Sequence, residues 1–414
     1  MFPFYEIGRV LVLSLPVAFL NPVFWIVIAF VVLQYKRINK LEDKMMGRAR
    51  ESLFRRSVYS ILYGIGGGLI GSYILISIGV CVPSSDMIYL LPVALLLMMI
   101  EPRFMCFSYS AGLIGISSLI FQWPRVSVPE MGALVAVLHM VESVLIYLNG
   151  ASGATPVIME GEEKRAQGGF LMQKFWPIPL TLILIIISNT QSLSGLPWEP
   201  SWPSWWPLIK PEVSIPSGYF AEFWVIPIPA VLGYSAVALS CPPEEKANSS
   251  AMSLGIYSIF LLILAVLSDR IQPLQYLAVL FAPIGHELVV HLERRKERDR
   301  PPLFIAPDDG LMVFHVFPGS IGDRMNFKPG YIIKKINGRA VTSIEDLREC
   351  NEASPFYVEM DIEYIKNGNK VTGLETFQGT WSNLGLLFLP KYLEGYYIQV
   401  KTNSGFLRRF FGRK

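Results

Sequence analysis

Histidine and cysteine are scarce, four of each in 414 residues. Cys81, Cys106, Cys241 and Cys350 stand apart with no CxxC pair, and three of them lie in or beside apolar runs. That placement reads as buried small hydrophobes. Charge is also sparse: 17% of residues are Asp, Glu, Lys or Arg, and the net charge is only +3. A nucleic-acid role is therefore not expected. The N-terminus has no charged n-region and no small-residue cleavage site ahead of a soluble domain, so the first apolar run is expected to be retained.

Apolar residues are what the chain has in excess. They make up 52% of it, and the mean hydropathy is +0.42, more than a soluble globule needs. The surplus lies before residue 292 in long runs with few charges, which predicts an α-helical multi-pass membrane domain. Spans are expected at 10–35, 58–82, 88–100, 105–121, 131–149, 177–190, 223–241, 252–268 and 274–291. Two of these, 88–100 and 177–190, are short for a ~30 Å hydrocarbon core, so the expected number is seven to nine. Gly66, Gly67, Gly68 and Gly71 in the second run suit close approach between helices. Trp198, Trp202, Trp205 and Trp206 among prolines read as an interfacial aromatic belt. The entries Phe175-Trp176-Pro177-Ile178-Pro179 and Phe223-Trp224, followed by Pro227 and Pro229, form a weak internal echo.

With nine spans, the loops 36–57, 101–104, 150–174 and 242–249 and the tail after 292 share one side. They hold roughly 18 Lys and Arg, counting the tail only to Arg300, against roughly three on the other side. The basic side is expected to be cytoplasmic. Residues 293–302 read as a basic juxtamembrane linker attracted to anionic membrane lipid, and 401–414 as a basic tail.

Three patterns invite an enzymatic reading. Gly285-His286-Glu287-Leu288-Val289-Val290-His291 resembles a zinc-protease helix, but the spacing is HExxxH. Residues five apart on a helix point about 140° apart, so His291 cannot share a metal with His286. Gly150-Ala151-Ser152-Gly153 matches a rhomboid-like GxSG, yet Thr155-Pro156 and a charged loop follow, placing Ser152 in water. His139 and Glu142, three apart in an apolar run, share a helix face. They read as an intramembrane polar pair, either an interhelical hydrogen-bonded site or part of a proton or ion path. No catalytic residue, metal ligand or cofactor is expected.

Residues 303–400 read differently. Apolar residues alternate from Leu311 to Phe317, and Pro318-Gly319-Ser320 follows. Tyr331–Ile336 is a second expected strand, closed by Asn337-Gly338. Ser343 opens a helix over Ile344–Glu352, with Asp346 as an acidic variant of the capping box. Strands are expected at 356–365 and 370–377, joined by Asn367-Gly368. The order of these pieces resembles a bacterial PDZ domain of the type attached to HtrA and site-2 proteases. A PDZ domain binds peptides by adding a strand to its sheet. The ΦGΦ loop of such domains has no counterpart at the start of this region, but Leu384-Gly385-Leu386 matches it after the last expected strand. The resemblance therefore implies a small α+β PDZ domain of circularly permuted bacterial type. Its peptide site would be Leu384, Gly385 and Leu386, facing Leu347 on the helix.

Scattered motifs extend the resemblance to most of the chain: 106–113 (CFSYSAGL), 138–143 (LHMVES), 175–179 (FWPIP), 233–243 (GYSAVALSCPP), 282–291 (APIGHELVVH) and 301–304 (PPLF). Together they resemble MinJ-type membrane proteins of Gram-positive rods. The resemblance implies a non-enzymatic adaptor of the cell membrane that controls division-site placement. Its implied partners are DivIVA-like and MinD-like proteins. An intramembrane protease-like protein or PDZ-bearing protease regulator is the alternative reading, and an ion or proton transporter the third. The expected domains are thus 1–292, 293–302, 303–400 and 401–414.

Overall fold

The computed structural model describes residues 3–46, 49–101, 104, 106–161, 165–189, 203–210, 215, 217–353, 357–366, 369–378 and 384–391. The first apolar run is two helices, α1 (Phe4–Leu20) and α2 (Pro22–Met46), separated at Asn21, whose backbone is extended. Pro22 starts α2, where its missing N–H costs nothing. Then come α3 (Leu53–Ile78), the short β1 (Cys81–Pro83), α4 (Ser84–Ile100), α5 (Phe107–Phe121) and α6 (Val128–Asn149). After the hairpin described next, α7 (Pro243–Arg270) and α8 (Pro273–Asp299) complete the helices. Among the described residues, five helices are long and apolar enough to cross a membrane. Their outward faces carry Leu62, Ile70, Met252, Ile256, Phe260 and Ile284, all exposed. Lipid is the solvent that such a surface requires.

Residues 177–188 and 223–238, within two of the expected spans, are not helices. They lie in β3 (Ala166–Ser188) and β4 (Phe220–Ala238), which pair antiparallel from Phe170↔Ala238 to Ser188↔Phe220 without a register break. At about 3.3 Å per residue, 23-residue β3 reaches some 75 Å, more than twice a ~30 Å hydrocarbon core. Prolines account for the choice of strand over helix. Pro177 with Pro179 and Pro227 with Pro229 are spaced two apart, so each pair removes two helical N–H donors within one turn, whereas the single Pro16, Pro92 and Pro283 are carried inside helices. β-Branched residues such as Ile178, Thr181 and Ile183 also favour the strand. The two matching entries face one another: Pro179 lies opposite Pro229.

A strand at membrane depth must hide its backbone polar groups in protein. Two prolines directly opposite cannot form a hydrogen-bonded pair, so odd-numbered residues of β3 turn their N–H and C=O groups away from β4. Of these, Phe175 N–H donates to the Tyr35 hydroxyl at 3.2 Å and Thr181 N–H to Ser72 Oγ at 2.7 Å. Pro177 and Pro179 have no N–H to satisfy. Their carbonyls press on α3 where Gly64 and Gly68 stand: a Cβ on Gly64 would lie 2.1 Å from Pro177 O, and one on Gly68 2.7 Å from Pro179 O. Gly64 and Gly68 of α3 thus seat a strand, while Gly67 and Gly71 meet Val141 of α6, the close helix approach expected of them. Trp176, Ile178, Leu180 and Leu182 enter the main apolar core with Leu134, Val137 and Leu145 of α6.

At one end, here the basic end, Glu42 is fully buried between Arg56 and Thr155. There too Lys246 binds Glu293, and Glu297 accepts from Leu239 N and Ser240 N. The short β2 (Thr155–Glu160) pairs with β3 at this end, as does β5 (Phe304–Ile305). Gly79 and Trp206 mark the far end, where the indole Nε1 donates to Ile76 O. Trp198 and Trp202 lie outside the described residues. Helix α8 continues to Asp299, so the basic residues from Arg294 to Arg298 sit on its last two turns.

The C-terminal domain is a second sheet in the order β10-β9-β7-β6-β11, with β8 beside β7. Its elements are β6 (Leu311–Val316), α9 (Ile321–Arg324), β7 (Ile332–Ile336), β8 (Arg339–Ala340), α10 (Ile344–Ala353), β9 (Tyr357–Lys366), β10 (Asn369–Gln378) and β11 (Leu386–Leu389). Helix α10 begins with a complete capping box. Ser343 Oγ accepts from Asp346 N, while Asp346 Oδ2 accepts from Ser343 N and Thr342 N. Those backbone donors hold the Asp346 carboxyl below its ordinary range. This domain docks on the hairpin base: Phe314 and Leu389 bury against Ala166 and Ala306, and Ala166 N–H donates to Lys391 O.

Candidate polar site within the helical bundle

Helices α5, α6, α7 and α8 meet around a polar cluster in an otherwise apolar interior. His139 sits midway along α6 and is 3% exposed. Its Nδ1 donates to Val135 O at 2.7 Å, one turn back, so Nε2 carries the bare lone pair. That nitrogen faces Cys106 Sγ at 3.0 Å and Ser108 Oγ at 3.3 Å. Cys106 stands just before the first turn of α5, where it is the N-cap residue. From α8, His286 Nε2 approaches the same sulfur at 3.6 Å. The two imidazole rings lie edge to face, 5.3 Å between centroids.

Close packing of α5 on α8 depends on small residues. A Cβ on Gly112 would meet Pro283, and one on Gly115 would meet Val279. Around the cluster, the Tyr257 hydroxyl donates to Ala282 O at 2.7 Å and lies 2.8 Å from Ser108 Oγ. The Tyr109 hydroxyl donates to Glu287 Oε2 at 2.6 Å and receives His286 Nδ1 at 3.3 Å. Cys106, His139 and His286 are the described group whose donor atoms converge closely enough for a metal ion.

The residues singled out from sequence fall as follows. His139 is in the cluster, and its ring nitrogens face Val135, Cys106 and Ser108. Glu142, one turn further along α6, interacts electrostatically with His139. His286 does not meet His291, which is exposed on the other face of α8; it meets His139 and Cys106 instead. Ser152 is exposed in a turn. Sequence reasoning missed the convergence because each residue stands alone in its own apolar run. The available signal was two histidines, not one, within membrane-length runs.

In the C-terminal domain, Leu384 and Phe388 share a buried cluster with Cys350 of α10, and Leu386 and Leu347 pack against it. Gly385 has φ +65°, and a Cβ there would lie 2.2 Å from that of Ser320. The Leu384 and Gly385 carbonyls accept from Gly322 N and Phe317 N. The strand β11 lies at the edge of the sheet, bonded on one side to β6.

The architecture is that of a helical membrane protein with a β-hairpin threaded among its helices and a β-rich C-terminal domain. Across 402 residues the chain is 25% identical to the cell division topological determinant MinJ of Bacillus subtilis (strain 168), covering 92% of this chain and 96% of that protein. What remains outside the match is too short to be either domain, so the resemblance to MinJ-type proteins runs through both. No family model matches the chain.

Proposed function

We propose that this protein is a non-enzymatic membrane adaptor that helps to place the division site. The carrying observation is the similarity to a division topological determinant through both the membrane part and the C-terminal domain. In the native cell, replacing the chain by residues 1–300 is expected to shift septum positions. Septa that keep their positions in that strain would refute the reading.

The basic end is the cytoplasmic side in this reading, and the C-terminal domain lies there with it. The support is the excess of Lys and Arg in the loops that gather at that end. Alkaline phosphatase fused after Arg300 should be inactive; high activity would reverse the orientation.

The C-terminal domain acts as a permuted PDZ domain. What supports this is the order of its parts: a short helix after β6, a capped helix after β8 and an edge strand after β10. A partner peptide adds to the edge of β11 that carries no strand among the described residues, beside α10, with Leu384, Gly385, Leu386 and Leu347 at its site and its carboxylate at the glycine turn. DivIVA-like and MinD-like proteins are the candidate partners. Gly385 is a poor residue to test, because any side chain strikes Ser320. Leu347→Glu and Leu386→Glu in the full chain should each weaken capture of labelled C-terminal peptides at least tenfold; unchanged capture by both would remove the site.

A further inference from the structure

We infer that Cys106, His139 and His286 form a metal site for a single Zn²⁺-class ion, tying α5, α6 and α8 together inside the membrane. Proton bookkeeping leads there first. The one Tyr257 proton goes to Ala282 O, so Ser108 donates to Tyr257 and cannot also donate to His139 Nε2. The one Tyr109 proton goes to Glu287, so Tyr109 accepts from His286 Nδ1–H, leaving His286 Nε2 as a lone pair. His139 Nε2 is a lone pair for the parallel reason that Nδ1–H is given to Val135 O. Two imidazole lone pairs therefore converge on one thiol, which has one proton to offer. A neutral cluster leaves one lone pair unmet, and a cation meets both.

Geometry then selects a metal ion. Tetrahedral zinc with Zn–S near 2.3 Å and Zn–N near 2.0 Å places sulfur and nitrogen about 3.5 Å apart. Cys106 Sγ lies 3.0 Å and 3.6 Å from the two Nε2 atoms, and all three donor atoms are within 4.8 Å of one another. Thiolate with imidazole suits zinc or copper(I). Both histidines have their second nitrogen oriented by an oxygen, and the His286 oxygen is itself bound to a carboxylate, the arrangement that orients metal-bound histidine. The Glu287 carboxylate, held by the Tyr109 hydroxyl beside His286, adds the negative charge that a buried cation needs. On binding, the Cys106 S–H proton leaves to solvent and its sulfur ligates as thiolate. Three protein ligands leave a fourth position for water.

The test uses the full chain purified in detergent without chelator. Elemental analysis should find one zinc per chain, retained in Cys350→Ser and lost in Cys106→Ser and His286→Gln. Cobalt(II) in place of zinc should give thiolate charge-transfer absorption, absent from Cys106→Ser. Should the histidine variant fail to fold, the cobalt spectrum of Cys106→Ser, monodisperse on size exclusion, decides alone. A chain that takes up no zinc or cobalt when offered them overturns the proposal. So does zinc held equally by Cys106→Ser. Copper(I) found at the same three residues would overturn the choice of ion.

Discussion

The hairpin β3–β4 and the C-terminal sheet are both antiparallel, yet they are built from opposite kinds of sequence. Strands of the C-terminal sheet alternate where one face meets water: along β10, Val371, Gly373 and Glu375 are half-buried while Thr372, Leu374 and Thr376 are exposed. From Trp176 to Ile185 every residue of β3 is buried, since α6 covers one face, α1 the other, and α3 and β1 the edge away from β4. Alternation vanishes when both faces are dry. An apolar run at membrane depth therefore does not distinguish helix from strand by hydropathy; closely spaced proline pairs and β-branched residues do, while single prolines such as Pro16, Pro92 and Pro283 lie within helices.

The contrast can be broken most forcefully at α3. Gly64→Ala drives a methyl into Pro177 O and is expected to cost about 3 kcal/mol or more, since backbone must move. Gly66→Ala, with nothing within 4 Å, should be neutral or stabilising by up to about 1 kcal/mol. Thermal unfolding in detergent compares them; equal effects would mean that α3 does not seat the strand.

The next effect concerns the edge itself. Pro177→Ala or Pro179→Ala restores an N–H that faces α3 with no acceptor assigned to it, costing about 1–3 kcal/mol. The same change at an exposed, unpaired proline such as Pro301 should be silent in the same assay. In the C-terminal domain, stability rests on local signals instead. Asp346→Ala removes the capping box of α10 and should cost about 1 kcal/mol, seen as faster hydrogen exchange confined to that domain.

The last effect, absent at neutral pH, is a pH dependence. Burial, and then the nearby Arg50 charge, lowers His315 on β6 from 6.5 to about 4. The unfolded chain binds a proton at this residue between those values and the folded chain does not, so stability is full above pH 6.5 and declines as pH falls toward 4. His315→Gln should flatten that decline in the melting temperature of the full chain.

These elements also show what was legible beforehand. The strands of the C-terminal domain begin and end within a residue of expectation because alternation, Asn337-Gly338 and Ser343 each mark a boundary locally. The gathering of basic loops at one end did not depend on reading 177–188 and 223–238 as helices, because a strand carries the chain from end to end as a helix would. The echo at Trp176 and Trp224 was visible, but not that it marks two facing strands. Cys106, His139 and His286 were legible only singly: they are brought together by the packing of α5 against α6 and α8, which no local pattern encodes.

The claim on which the rest depends is that 223–238 crosses among the helices as a strand. Single cysteines placed from Val231 to Ser235 in a chain otherwise free of cysteine, and labelled with a small membrane-permeant maleimide, test it directly. Gly233 and Ser235 are exposed while Leu232 and Tyr234 are buried, so reactivity should alternate with a period of two. Reactivity repeating every three to four residues would contradict the strand and return this stretch to a helix.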